Sequence, residues 1–146
     1  IESTAYGARV IMERFEQYGV AVTRVINCGG IAARSPLAMQ IYADVMNRPL
    51  AISRSMQTCA LGSAIAAAVV AGESKGGYGN FDQAVSAMTG VQDKIFNPIP
   101  ANVAIYQRLY KLYLKLHDSF GIKGHQADLS GVMKELLDIR DDVRSH

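Results

Sequence analysis

A chain of 146 residues, 49% hydrophobic and 19% charged, is long enough for one domain with a buried core. Its formal charge of +2 is carried by scattered basic residues, which excludes the dense positive surface that nucleic acid or an anionic membrane requires. The longest apolar run, Cys59 to Ala71, is too short to span a membrane and contains Gly62 and Ser63.

Ser3 or Thr4 is placed to cap a first helix running to Tyr18, with Ala5, Ala8, Ile11, Met12 and Phe15 recurring at helical spacing and Gly19 closing it. Val20 to Ile26 reads as a strand whose Val22, Val25 and Ile26 suit burial between two layers. The run then stops at Cys28-Gly29-Gly30, and Ala33 to Asn47 reads as a helix, with Ser35 as a cap before Pro36. Leu37, Met39, Ile41, Tyr42 and Val45 supply its buried stripe. Pro49 ends that helix, and Leu50 to Ser53 is a short strand. Thr58 is placed to cap a small-residue helix, Cys59 to Ala71, closed by Gly72.

Gly72 to Asn80 reads as a loop, Phe81 to Met88 as a short helix capped by Asn80, and Gly90 to Pro98 as irregular chain. Pro100 opens a long helix to Phe120, with Tyr106, Leu109, Tyr110, Tyr113, Leu116 and His117 on one stripe. After a break at Gly121 to Gly124, a last amphipathic helix starts at Ala127 or Asp128. It turns Leu129, Val132, Met133, Leu136 and Leu137 to one face, either onto this domain or towards a sister subunit in a homo-oligomer. Asp141 to His146 reads as a frayed polar end. This alternation defines an α/β fold. Two or three strands make a small sheet, which strands outside this chain are expected to complete.

The chemistry is concentrated at Gly29 and Gly30. A strand, a glycine turn and a helix let bare backbone approach a phosphate. Arg34, just downstream, pairs well with phosphate oxygens or is a solvated residue at a helix start. Asp44 and Gln40 read as structural hydrogen-bonding groups, since no second carboxylate lies at helical spacing from Asp44. His117, His125 and His146 build neither a zinc site nor a nucleophilic triad. Gly76-Gly77-Tyr78-Gly79 lacks the lysine and hydroxyl residue of a phosphate loop and reads as a flexible surface turn. Cys28 and Cys59 have no metal-ligand spacing and lie in apolar context, which predicts buried free thiols in a reducing cytoplasm. The opening Ile1-Glu2-Ser3-Thr4, already within a helical pattern, carries no targeting signal and reads as part of a longer polypeptide.

Thr4-Ala5-Tyr6-Gly7-Ala8-Arg9, Gly29-Gly30 with Ser35, Gln40, Ala43-Asp44, Pro49 and Ala60-Leu61-Gly62-Ser63-Ala64 follow one another in an order that resembles the C-terminal nucleotide-binding half of the FGGY carbohydrate kinases. Cys59-Ala60-Leu61-Gly62, Lys75-Gly76-Gly77-Tyr78 and the tyrosine-rich helix before Phe120-Gly121 resemble the ribulokinase branch of that family. The resemblance implies an actin-like, ribonuclease H-like ATPase lobe over residues 1–120, followed by a C-terminal helix and polar tail over 121–146. It implies ATP with Mg2+ as cofactor and phosphorylation of a pentulose, L-ribulose to L-ribulose 5-phosphate. By the same resemblance Gly29 and Gly30 lie against the nucleotide, with Arg34 and Ser35 as nearby polar groups, although other members carry asparagine near those two positions. The catalytic base, the sugar contacts and the magnesium ligands are expected outside this chain, which alone would be inactive. The alternatives are a kinase of the same family acting on xylulose, glycerol or gluconate, and a non-catalytic interaction or regulatory module that keeps an actin-like half-fold.

Overall fold

A computed structural model of the chain describes residues 1–145 and divides it into two compact units. The first takes Ile1–Val22, Ile41–Arg48 and the chain from Pro98 on; the second takes Thr23–Gln40 and Pro49–Asn97. The fold is mixed α/β, with a three-stranded sheet in the second unit. Among the described residues no helix is long and apolar enough to cross a membrane.

The first unit is built on α1 (Glu2–Gln17), the end of α3 (Pro36–Met46), α6 (Pro100–Gly121) and α7 (Val132–Arg144). Ile1, rather than Ser3 or Thr4, is the N-cap of α1, and the Thr4 hydroxyl donates to the Ile1 carbonyl at 2.6 Å. At its far end the Gly19 N–H donates to Glu16 O (2.9 Å) and the Val20 N–H to Phe15 O (3.0 Å), the paired bonds that close a helix through a glycine. Ala5, Tyr6, Val45 and Tyr110 form the core, packed by Tyr106, Tyr113 and Leu114. The Tyr6 ring lies 5.3 Å from Tyr113 and 6.0 Å from Tyr110, centroid to centroid.

Ile11 and Phe15, expected in the buried stripe of α1, are 62% and 53% exposed. The inward positions are held in part by polar residues. Arg9 lies 4.0 Å over the Tyr110 ring and donates to Glu13, to the Val45 carbonyl and to Gln107. Glu13 in turn accepts from the Tyr110 hydroxyl at 2.7 Å. Asp44 has the expected structural role: buried, it accepts from the Ile99 N–H (2.7 Å) and from Asn102 Nδ2 (2.9 Å), fixing the start of α6. The α7 helix begins later than Asp128 because that carboxylate accepts from the Ser130 N–H in a local turn (2.9 Å). It continues to Arg144 through the segment expected to fray, and Arg108 pairs with Asp142 at 2.7 Å. Val132 and Ile139 pack α7 against Leu112 of α6, whereas Met133 and Leu137 face outward. His146 lies outside the described residues.

The second unit has strand order β1 (Val25–Asn27), β2 (Leu50–Ser53), β3 (Val91–Phe96). The first pair is parallel, with Asn27 opposite Ile52; the second is antiparallel, with a register irregularity between Ala51 and Ser53. The central strand reads as an unbroken apolar run because Leu50, Ala51 and Ile52 are all buried. The expected strand over Val20 to Ile26 is confined to Val25–Asn27, and Ile26, expected to be buried, is 44% exposed. The expected irregular stretch after Gly90 contains β3, whose Asp93, Lys94 and Ile95 are exposed and whose buried anchor is Phe96. Charged, outward-facing residues suit an edge strand and erase its apolar alternation.

Gln57 rather than Thr58 is the N-cap of α4 (Thr58–Ala71). Cys28 and Cys59 are both exposed, contrary to the buried thiols expected. Cys28 sits where the chain leaves β1, and Cys59 lies in the first turn of a helix whose fully buried residue is Ile65. The loop after α4 is a hydrogen-bonded cap: Gly77 N–H donates to Gly72 O (2.9 Å) and Tyr78 N–H to Ala68 O (3.1 Å). A Cβ at Gly77 would stand 2.0 Å from the Ala68 carbonyl oxygen, so the glycine is there for close approach to the end of α4. Asn80 caps α5 (Phe81–Met88) as expected, accepting from the Gln83 N–H at 2.9 Å.

Candidate functional site

Parallel pairing of β1 and β2 brings their carboxyl ends to the same edge of the sheet, where ligands bind in open α/β folds. The chain leaves β1 through Cys28 in extended geometry (φ −137°, ψ 170°) and enters α2 (Gly29–Arg34) at once. Gly29 has φ +86°, a conformation that residues with a side chain rarely adopt. A Cβ built on Gly29 or on Gly30 meets nothing within 4 Å. The backbone of the doublet is therefore unobstructed by the described residues, unlike Gly77, whose missing Cβ makes room for the protein itself. No side chain caps the start of α2. Its first amides point away from the helix and have no acceptor within it.

The expected single helix over Ala33 to Asn47 is two helices, α2 and α3, broken at Ser35 (φ −123°, ψ 85°). Ser35 is the cap read from the sequence: its Oγ accepts from the Ala38 N–H at 3.3 Å, and Pro36 follows as the first helical residue. Arg34 is exposed in the last turn of α2, four residues after Gly30. Positions i and i+4 share a helix face, and side chains lean towards the helix N-terminus, so Arg34 leans along the face that Gly30 leaves bare. Gln40 anchors backbone as expected, donating to the Asn97 carbonyl at 2.8 Å. Leu37, expected in the buried stripe, is 69% exposed, while Ala38 and Met39 are buried.

Arg54 belongs to the same edge and was not marked by the sequence. It stands two residues beyond Ile52, the partner of Asn27, so it leaves β2 where Gly29 leaves β1. Its guanidinium donates to the Thr89 carbonyl at 2.9 Å and lies over Gly90. Only the parallel register identifies this placement. The segments of the second unit up to Gly72 contain Arg24, Arg34 and Arg54 and no aspartate or glutamate, while its remainder carries Glu73, Asp82 and Asp93 with Lys75 and Lys94. Among the described residues no group of three or more His, Cys, Asp or Glu side chains is gathered to hold a metal ion.

Residues 1–71 match the model of the FGGY family of carbohydrate kinases, C-terminal domain. The chain is 45% identical over 145 residues, 99% of its length, to a ribulokinase of Geobacillus thermodenitrificans, and covers 25% of that protein. It is 46% identical over 121 residues, 83% of its length, to a ribulokinase of Halalkalibacterium halodurans, and covers 22% of it. A xylulose kinase from Rhodospirillum rubrum superposes with a TM-score of 0.64 and 28% identity, over 81% of this chain and 23% of that one. The chain thus spans about a quarter of the length of the relatives it matches. The α/β architecture agrees with these matches, and over nearly its whole length the chain corresponds to the C-terminal part of the FGGY carbohydrate kinases.

Proposed function

We propose that this chain is the C-terminal part of an ATP-dependent sugar kinase, contributing one wall of the nucleotide pocket, and that the intact enzyme converts L-ribulose and ATP to L-ribulose 5-phosphate and ADP. The observation that carries the reading is the doublet at the end of β1, where the backbone at Gly29 and Gly30 is open and unobstructed. A nucleotide fits this corner on physical grounds: uncapped amides and a neighbouring arginine face favour an anion. Gly29 and Gly30 would hold the nucleotide through their backbone, and Arg34 would pair with phosphate oxygens. ATP would supply the phosphoryl group, with Mg2+ to offset its charge. The residues that hold the metal, activate the sugar hydroxyl and contact the sugar belong to the preceding part of the intact enzyme. Residues 1–120 belong to the second actin-like lobe and 121–146 to a C-terminal extension of it. L-ribulose is favoured over other sugars because the relatives at 45–46% identity are ribulokinases.

The test is Gly30→Asp in the intact kinase. Gly30 has an ordinary backbone φ and open space, and an acidic residue in the first turn suits the helix dipole. Folding should be unaffected, while the negative charge against phosphate raises KM for ATP about tenfold or more. Unchanged ATP kinetics in a folded variant removes the assignment.

A further inference from the structure

Ser35 is the point at which two helices are joined, and the inference drawn from it rests on the nucleotide-pocket reading above. Its N–H donates to Ile31 O at 2.9 Å, closing the last turn of α2. Its carbonyl accepts from the Met39 N–H at 3.2 Å, and its hydroxyl accepts from the Ala38 N–H at 3.3 Å, opening the first turn of α3. Pro36 has no N–H to contribute and fixes the direction in which α3 departs. On the far side of the corner Ala38 and Met39 are 2% exposed, so the start of α3 is held by packing. The α2 helix has six residues, too few to hold its own direction, and Ala32 is its one buried residue. Its orientation is set by the packing of this short helix on β2, by the turn at Gly29 and by the corner at Ser35. Arg34 is bonded directly to that corner, and Gly30 lies one helical turn before it.

We infer that Ser35 is a positioning residue for the nucleotide and not a ligand to it: as the cap of α3 it sets the α2–α3 corner, and through that corner aims Arg34 and the Gly30 backbone. A cap and a ligand respond differently to substitution. At an N-cap, alanine is costly while glycine and asparagine are nearly as good as serine. A direct contact from the hydroxyl to the nucleotide would be lost in alanine and glycine alike.

The experiment measures steady-state kinetics of the intact kinase for Ser35→Ala, Ser35→Gly and Ser35→Asn, with Gly30→Asp in parallel. Ser35→Ala should raise KM for ATP about fivefold to tenfold, the size of a lost cap, with kcat and KM for the sugar within about twofold. Ser35→Gly and Ser35→Asn should stay within about twofold of the parent for ATP. A purely structural role would lower the unfolding midpoint of Ser35→Ala and leave its KM for ATP in place, which overturns the inference. Equal rises in Ser35→Ala and Ser35→Gly make the hydroxyl a ligand and also overturn it. Should Ser35→Ala not fold, the other two variants decide: parental KM for ATP in both supports positioning, and a rise in Ser35→Gly contradicts it. If Gly30→Asp also leaves ATP kinetics unchanged, the pocket reading itself has failed; if Gly30→Asp raises KM and Ser35→Ala does not, only the present inference has.

Discussion

The two units of this chain satisfy their polar groups in opposite ways. In the first, side chains do the work: Arg9 joins Glu13, Gln107 and the Val45 carbonyl, Glu13 accepts from the Tyr110 hydroxyl, and Asp44 holds the start of α6. In the second, backbone takes the larger share: the Gly72–Tyr78 loop caps α4 through main-chain bonds and the corner at Ser35 uses two backbone bonds and one hydroxyl, beside single side-chain anchors at Gln40, Arg54 and Asn80. The difference follows from composition. A unit lined with tyrosine and arginine builds networks, while one lined with glycine and alanine brings backbone close to whatever packs on it. Bare backbone suits a phosphate, and an interlocked polar core suits a rigid support.

Three experiments break or sharpen that contrast. The largest effect is expected from Gly77→Ala, which forces a methyl group onto the Ala68 carbonyl oxygen and should cost about 3 kcal/mol in urea unfolding. A loss below about 0.5 kcal/mol would mean that the loop gives way and that backbone contact is not what holds α4.

Alkaline titration comes next, and it addresses the first unit. Burial, then the nearby Glu2 carboxylate, pushes the Tyr106 phenol up from 10.0 to about 12. Tyr6 is raised by burial and Glu2, and Tyr110 by burial and its bond to Glu13. The folded unit therefore keeps protons that the unfolded chain gives up near pH 10. Their contribution is complete below pH 10 and is lost as the pH climbs towards 12. Unfolding midpoints read with phenolate absorbance should fall together across that window; free ionisation of these phenols near pH 10 without unfolding would contradict the buried network.

The smallest effects separate two tyrosines of the same core. Tyr110→Phe removes a 2.7 Å bond to a carboxylate and should cost about 1.5 kcal/mol. Among the described residues the buried Tyr6 hydroxyl has no hydrogen-bond partner, so Tyr6→Phe should be neutral or stabilising by up to about 1 kcal/mol. Equal losses at both positions would show that the hydroxyls act by packing alone.

Much of this fold was legible in the sequence, and its gaps have physical causes. Pro100 and the tyrosine spacing mark α6, Leu50-Ala51-Ile52 marks the buried central strand, and Asn80 marks the start of α5, because each signal is local. The β3 strand escaped because an edge strand with Asp93 and Lys94 outward keeps no apolar alternation. Ile11 and Phe15 misled because Arg9 and Glu13 occupy positions that periodicity assigns to apolar residues. At the site, the doublet and the Ser35 cap were readable. The break they imply was not carried through to two helices, although a capping residue by definition leaves helical geometry. Arg54 was out of reach, since its neighbourhood depends on strand register.

The central claim is that the backbone at Gly29 and Gly30 makes room for the nucleotide. A crystal structure of the intact kinase with ADP tests it most directly. The account predicts ligand oxygens within about 3 Å of main-chain nitrogens at this doublet, with Arg34 turned towards the phosphates. A nucleotide lodged elsewhere, with other side chains filling the corner beside Gly30, would contradict it.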